Sequence, residues 1–292
     1  MTKRSAVGMT TAIALTVGLA AMLSERINAS AQIIEELPAT ARSGDVRAVF
    51  DAQHDRDRYC MENAQIQISR QGDTLFDDVL PQQILEDTGF CRPLTLDVLA
   101  LNQDAEPEIL LDVYSGGAHC CTSSLIYSYV PERESYTVLN HFWGNAGYQL
   151  SDLDADGVPE FATRDDSFAY AFAAYAVSRY PIAIWRYDGQ SMENVTREFP
   201  DLIYSDAYRH WQEFERLRNS EIFDEPYTDD TAYIYQEYEQ AILAAYLADK
   251  YLLGQEADGW QRVRAVYRRG DRDQFFAELS SFLSETGYTD LP

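Results

Sequence analysis

Residues 152–160 read Asp-Leu-Asp-Ala-Asp-Gly-Val-Pro-Glu, and strand-like sequence follows them. Calcium takes roughly six to eight oxygen ligands, and a short loop that reverses sharply can supply most of them. A glycine at position 157 suits such a reversal, because a positive φ costs glycine nothing. We therefore predict a calcium site, with an ordinary solvated turn as the alternative. The predicted ligands are the side chains of Asp152, Asp154, Asp156 and Glu160 and the main-chain carbonyl of Val158.

The sequence after this loop indicates a strand rather than a helix. A helix–loop–helix calcium hand requires a bidentate acid at the twelfth loop position. Counted from Asp152, that position is Thr163, which cannot serve. The residues 161–163, Phe-Ala-Thr, are typical of a strand. We therefore expect a loop that leads into a β-strand.

A second, weaker copy of the stretch lies 52 residues upstream. Residues 101–109 read Leu-Asn-Gln-Asp-Ala-Glu-Pro-Glu-Ile, and their Pro-Glu pair aligns with residues 159–160. Ala100 and Ala105 replace the first acid and the glycine, so we expect metal binding at this copy to be poor or absent. Repeats of this length are typical of propeller blades and other stacked β units.

The remaining pattern predicts an α+β fold. Alternating apolar residues on both sides of short turns indicate three β-hairpins, over residues 66–79, 124–139 and 182–195. After Pro200 the apolar spacing becomes helical. The helices are predicted from Asp206 to Asn219, from Asp229 or Asp230 to Leu253, from Asp258 to Arg269, and from Asp271 to a stop at Gly287. The result is an antiparallel β-repeat domain followed by a C-terminal helical bundle.

The pattern Asp-x-Asp-x-Asp-Gly-x-Pro-Glu before a strand resembles the FG-GAP/VCBS-type repeats of secreted bacterial proteins and integrin-like propellers. Residues 114–121, Tyr-Ser-Gly-Gly-Ala-His-Cys-Cys, resemble a stretch that accompanies such repeats. The resemblance covers about residues 60–200 and implies that the loop acids bind calcium as a structural ion. Two loops and three hairpins cannot close a ring of about four or more blades. We therefore expect a partial, propeller-like stack or two packed sheets.

The N-terminal residues are typical of an export signal. Lys3 and Arg4 precede an uncharged run over residues 6–23, and Ala29-Ser30-Ala31 has the form that signal peptidase cleaves. An uncleaved anchor is the alternative. We predict a signal peptide over 1–31, a helix or loose lead-in over 32–58, the β-repeat domain over 59–202 and the helical domain over 203–292. The mature chain is expected to be secreted or periplasmic, with no membrane span.

Four cysteines in an exported chain favour disulfide bonding. They are Cys60, Cys91, Cys120 and Cys121, and three pairings are open. We favour Cys60–Cys91, with the adjacent pair either bonded to each other or left as thiols; crossing pairs stay open.

Composition and motifs favour a binding function. A formal net charge of −25 repels phosphates and excludes nucleic acid as a partner. We expect a non-enzymatic module that binds an envelope protein or a glycan. The alternatives are an exported hydrolase with its site near His119, Cys120 and Cys121, and an inhibitor of a hydrolase. Asp165 and Asp166 are interpreted as a solvated turn, since neighbouring residues on a strand point to opposite faces.

Overall fold

Three four-stranded antiparallel sheets precede a helical region. The computed structural model describes residues 33–54, 60–80, 90–104, 106–117, 120–219 and 229–289, without the side chains of 120 and 229–232. The predicted signal peptide, residues 1–31, lies outside these ranges. In each sheet the strands follow one another in chain order, so every neighbouring pair is a simple antiparallel connection.

The strands of sheet I are β1 (Ala39–Ser43), β2 (Val46–His54), β3 (Met61–Arg70) and β4 (Asp73–Val79). Those of sheet II are β5 (Arg92–Leu99), β6 (Glu108–Gly117), β7 (Cys120–Val130) and β8 (Ser135–Gly144). Those of sheet III are β9 (Gln149–Ser151), β10 (Glu160–Arg164), β11 (Ile182–Tyr187) and β12 (Met192–Asn194). The helices are α1 (Pro200–Arg218), α2 (Asp229–Leu252), α3 (Glu256–Val266) and α4 (Arg272–Glu285).

Sheet II is the middle layer of the β region. Along β6, Ile109, Leu111 and Val113 pack into one apolar cluster with residues of sheet I. Leu110 points the opposite way and packs into a second cluster with Phe161 of sheet III. Because successive side chains on a strand alternate between faces, this strand is buried on both sides. The described strands form a stack, and none of the three sheets closes into a barrel.

The far face of sheet III meets the helical region. Ile184 of β11 packs with Val195 and Phe199, and α1 begins directly after Phe199. The main helical core includes Ile242, Leu247, Val263 and Leu279, together with Phe168 from the turn after β10. Within the described ranges, no helix combines the length and apolar character that a bilayer crossing requires.

The α+β fold, the three hairpins and the strand after the acidic loop are confirmed. The helix or loose lead-in predicted over residues 32–58 is wrong, because β1 and β2 lie there. In β2 the residues Val46, Ala48 and Phe50 are buried in alternation, as expected for a strand with one face on a core. The predicted helix start at Asp206 is also wrong. Helix α1 begins at Pro200, whose fixed φ suits a first helical position, and Asp206 lies buried inside it.

Candidate functional site

The acidic loop brings three of the predicted calcium ligands together. Each of Asp152, Asp154 and Asp156 offers a carboxylate oxygen, and these oxygens lie within 4.8 Å of one another. The carboxylate of Asp152 accepts the N–H groups of Asp156 at 3.1 Å and Gly157 at 3.0 Å. Gly157 has a φ of +95°, which confirms the predicted reversal. The loop is therefore closed by its own carboxylates, and its oxygens converge on one point.

Glu160 is bound differently from the three aspartates. Glu160 is fully buried, and its Oε2 accepts the N–H of Leu153 at 2.9 Å. Its Oε1 accepts from Arg186 of β11, at 3.0 Å from Nε and 2.9 Å from Nη2. Val158 donates its N–H to Asp156 Oδ1 at 2.8 Å. Glu160 thus anchors the two ends of the loop to each other and to sheet III, and its oxygens are not among the three that converge.

The upstream copy repeats two of these hydrogen bonds. Glu108 begins β6 as Glu160 begins β10, and its Oε2 accepts the N–H of Leu101 at 2.8 Å. Glu106 donates its N–H to Asp104 at 2.9 Å, which matches the bond from Val158 to Asp156. In place of an arginine, Glu108 has the amide of Asn102 at 3.1 Å. Burial without a cation raises the pKa of Glu108 to about 7.

A cleft lies where sheets II and III meet the C-terminal segment. Its volume is about 560 Å³. The aromatic wall consists of His141, Phe142 and Trp143 at the end of β8 and Trp185 of β11. The polar wall consists of Arg164, Asp165, Asp166, Ser167 and Asn194, with Thr286 of the C-terminal segment. A smaller hollow that shares Asp165, Asn194 and Thr286 continues it toward Tyr288.

The aromatic wall is rigid. The ring of His141 lies 4.2 Å from that of Trp143 and 4.8 Å from that of Trp185, between centroids. Trp143 is held by a 2.7 Å bond from its Nε1 to Ser124 Oγ and by stacking on Phe161. Burial lowers the pKa of His141 to about 4, so this imidazole is neutral at physiological pH.

The two acids on the polar wall are positioned by backbone and hydroxyl groups. Asp165 caps the 3₁₀ turn after β10 and accepts from Tyr288 OH at 2.8 Å. Asp166 accepts the N–H of Asn145 at 3.2 Å, and burial raises its pKa. The pair lies at a turn, as interpreted, but both residues are partly buried and line the cleft. The aromatic run at residues 141–143 is the one sequence feature that could have indicated the cleft. The sequence does not show that this run lies close to residues 164–167.

A buried polar cluster joins sheet III to two helices. It consists of Asp206 and His210 on α1, Asp249 on α2, Arg164 on β10 and Arg209 on α1. Arg164 contacts Asp206 at 2.6 Å, and His210 Nδ1 lies 2.9 Å from Asp249 Oδ2. Arg209 Nη2 lies 2.9 Å from His210 Nε2, so that nitrogen accepts and Nδ1–H donates. Burial lowers the pKa of His210 to about 3. Arginines contact two of the groups that a metal would need, the carboxylate of Asp206 and Nε2 of His210, whereas Asp249 contacts His210.

The cysteines support an exported protein. The predicted disulfide Cys60–Cys91 is confirmed and links the start of β3 to the start of β5. Gly116 leaves room for this disulfide, because any side chain at that position would bring a Cβ within 2.8 Å of Cys91 Sγ. Cys121 is buried and also disulfide-bonded, which removes it as a nucleophile for the alternative hydrolase site. His119 and the side chain of Cys120 lie outside the described part of the structure.

Comparison with known proteins gives a match to a different family model from the one predicted. The family model for the sll0997 C-terminal domain matches residues 203–287, in the helical region. The prediction of an FG-GAP/VCBS-type repeat protein is therefore wrong. That resemblance depended on the acidic loop, and a short loop of carboxylates and glycine recurs in unrelated folds.

Two curated relatives align with a little over half of the chain. A probable thylakoid lumen protein, sll0997, of Synechocystis sp. is 29% identical over 165 residues, which are 56% of this chain and 44% of that protein. The uncharacterised protein y4bJ of Sinorhizobium fredii is 32% identical over 167 residues, 56% of this chain and 24% of that protein. The matched part therefore spans less than half the length of either relative. No solved structure matches. The chain is similar to these proteins and, over residues 203–287, to the sll0997 C-terminal domain.

Proposed function

We propose that this chain is an extracytoplasmic binding protein whose cleft takes a hydroxyl-rich ligand of the glycan class. The observation that carries the proposal is the pairing of a rigid aromatic wall with carboxylates and an amide in one cleft of about 560 Å³. Specific small-ligand sites combine apolar and aromatic walls with a few fixed polar groups. Aromatic rings can stack on the apolar faces of sugars, while Asp166 and Asn194 can accept and donate hydrogen bonds to hydroxyl groups.

Compartment and charge support the same assignment. A disulfide is typical of an oxidising compartment, and a relative is named as a probable thylakoid lumen protein. The neutral His141 adds no positive charge to the aromatic wall. The polar wall already has its single arginine, Arg164, bound to Asp206. A neutral ligand therefore fits the cleft better than an acidic one.

The test is titration with defined oligosaccharides of glucose, galactose and N-acetylglucosamine, followed by tryptophan fluorescence. Trp185 lines the cleft, so a bound sugar should change its emission. We expect Phe142→Ala to weaken binding, because Phe142 is 50% exposed in the cleft wall. Tyr233→Ala, at an exposed residue of α2, is the matched control. Equal binding by the Phe142 variant, or no binding of any sugar, would exclude the cleft as a glycan site and favour a protein partner.

We further propose that Asp152, Asp154 and Asp156 hold a calcium ion, with water completing the shell. The convergence of their oxygens supports this. Arg186 opposes it, because its Nη2 lies 3.3 Å from Asp154 and shares the charge of that carboxylate. We therefore expect an affinity lower than that of a loop closed by a fourth acid.

Thermal unfolding with calcium and with a chelator tests the site. An ion at about 100 times its dissociation constant should stabilise the fold by about 2.7 kcal/mol. Asp154→Asn with Asp156→Asn should abolish the calcium response. Asp104→Asn in the upstream copy is the matched control and should leave the response intact. Identical melting of the unaltered protein with calcium and with chelator would refute the proposal.

A further inference from the structure

Arginine is concentrated at one place on this acidic protein. The whole chain has 48 acidic residues against 23 lysines and arginines. Between residues 262 and 272, where α3 ends and α4 begins, five arginines stand with one aspartate. Four of these arginines line one open hollow of about 560 Å³, and its only acidic lining residue is Asp273. We call this set, Arg264, Arg268, Arg269 and Arg272, the arginine patch.

The guanidinium groups of the patch are held mainly by groups other than carboxylates. Arg264 lies over the ring of Trp260 at 4.9 Å, and Arg272 lies over that of Phe276 at 5.7 Å. Arg268 donates from Nε to the carbonyl of its own turn, Ala265, at 3.1 Å. Stacking on a ring fixes a guanidinium plane while leaving its edge available to an oxyanion. Two guanidinium groups of the patch therefore lie against aromatic rings, and both residues line the hollow.

The nearby acids do not neutralise the patch. Asp271 is turned inward, where it accepts from Tyr267 OH at 3.0 Å and from Gln236 at 2.7 Å. Asp273 is 96% exposed and approaches Arg272 only at 3.5 Å. Arg269 does have a close partner, Glu239, at 2.6 Å. Four arginines thus stand beside three described acids, Glu239, Asp271 and Asp273, and the summed charge of these groups is positive.

From this arrangement we propose that the arginine patch is a binding site for a phosphate-type oxyanion of two or more charges. Planar guanidinium groups bind phosphate oxygens in pairs, with shorter and stronger hydrogen bonds than neutral donors give. The net charge of −25 does not prevent this. At physiological salt the Debye length is about 8 Å, so the patch determines the potential close to it. This site is separate from the cleft proposed above and does not depend on its function.

The oxyanion can be a soluble phosphate group or a phospholipid headgroup, and two probes distinguish them. The full chain is titrated with pyrophosphate at constant ionic strength by calorimetry. It is separately mixed with phosphatidic acid–phosphatidylcholine vesicles and sedimented. Binding in the first assay identifies a soluble ligand, and binding only in the second identifies a headgroup.

Arg264→Gln with Arg268→Gln should lower the affinity about tenfold or more for whichever probe binds, because charge-assisted hydrogen bonds are lost. Arg42→Gln with Arg133→Gln removes the same charge from exposed positions in the β region and is the matched control. All four side chains are exposed or at strand and turn surfaces, so we expect both double variants to fold. Binding of neither probe, or equal loss in both double variants, would overturn the proposal.

Discussion

Removal of Arg186 should destabilise the protein in a pH-dependent way. Glu160 is fully buried, and one arginine supplies both donors to its Oε1, at 3.0 and 2.9 Å. Breaking a buried ion pair by removing one partner costs about 3–5 kcal/mol, since the remaining charge is uncompensated. Oε2 keeps the N–H of Leu153 in the variant. We therefore expect Arg186→Gln to cost about 3 kcal/mol at pH 8, the lower end of that range.

The sign of the pH dependence follows from the burial of the carboxyl. Burial already raises the pKa of Glu160 in the native state, and Arg186 opposes that rise. Without Arg186 the native pKa lies still further above that of the unfolded chain, so the native state binds the proton more tightly. The variant is then most stable at low pH and loses stability as pH rises through its native pKa. The cost of the substitution should therefore be smaller at pH 5 than at pH 8.

Urea unfolding at both pH values measures the effect. Arg186→Gln combined with Glu160→Gln removes both charges and should recover most of the stability, because an amide pair has no buried charge. Arg186→Lys keeps the charge but loses the two-donor geometry, so it should recover only part. A loss below about 1 kcal/mol at pH 8, or equal losses at the two pH values, would refute the claim that Arg186 compensates a buried carboxylate.

Three further predictions concern stability. The native pKa of Glu108 is about 7, against an ordinary 4.5. The free energy of unfolding should therefore fall by about 3 kcal/mol between pH 4.5 and 7, at about 1.4 kcal/mol per pH unit. Thermal unfolding of Glu108→Gln at several pH values should show a flatter slope. Gly259→Ala should destabilise the fold by about 1–3 kcal/mol in urea unfolding, because the added Cβ would lie 2.8 Å from the side chain of Leu247. In the same assay Gly270→Ala should change stability little, because an added Cβ there would have no neighbour within 4 Å. Replacing Cys60 and Cys91 by serine opens a loop with a sequence separation of 31 and should cost about 4 kcal/mol, measured by urea unfolding with and without reductant.

The local parts of the fold could be predicted from the sequence. The hairpins were accessible because alternation and turn residues lie close together in the chain, as at Arg70 to Asp73. The strands over residues 39–54 were not predicted, because Val49 lies between Ala48 and Phe50 in β2 and breaks the alternation of apolar and polar residues. Only its pairing with β3 shows which side chains face the core.

The candidate site depends on contacts that are distant in sequence. Arg186 reaches Glu160 across 26 residues, so the sequence could not show that this acid is neutralised by a side chain. The cleft combines residues 141–143, 164–167, 185 and 286, and no local pattern connects them. The buried cluster is similar, since Asp249 meets His210 across 39 residues. Such sites are specified by the order of the sheets, which the sequence alone left open.

The two copies of the repeat close their loops with the same glutamate hydrogen bond but compensate the buried glutamate in different ways. In both, a glutamate at the first residue of a strand accepts the N–H of the leucine seven residues before it. In the second copy Arg186 balances that charge, whereas Glu108 has only an amide partner and an elevated pKa of about 7. Because the anchor forms in both copies, and the first has Ala100 where the second has Asp152, three converging acids are not required to build the loop. Any calcium at residues 152–156 would then stabilise a turn that its glutamate has already closed, and the variants of Glu160 and Asp154 should have separable effects on unfolding.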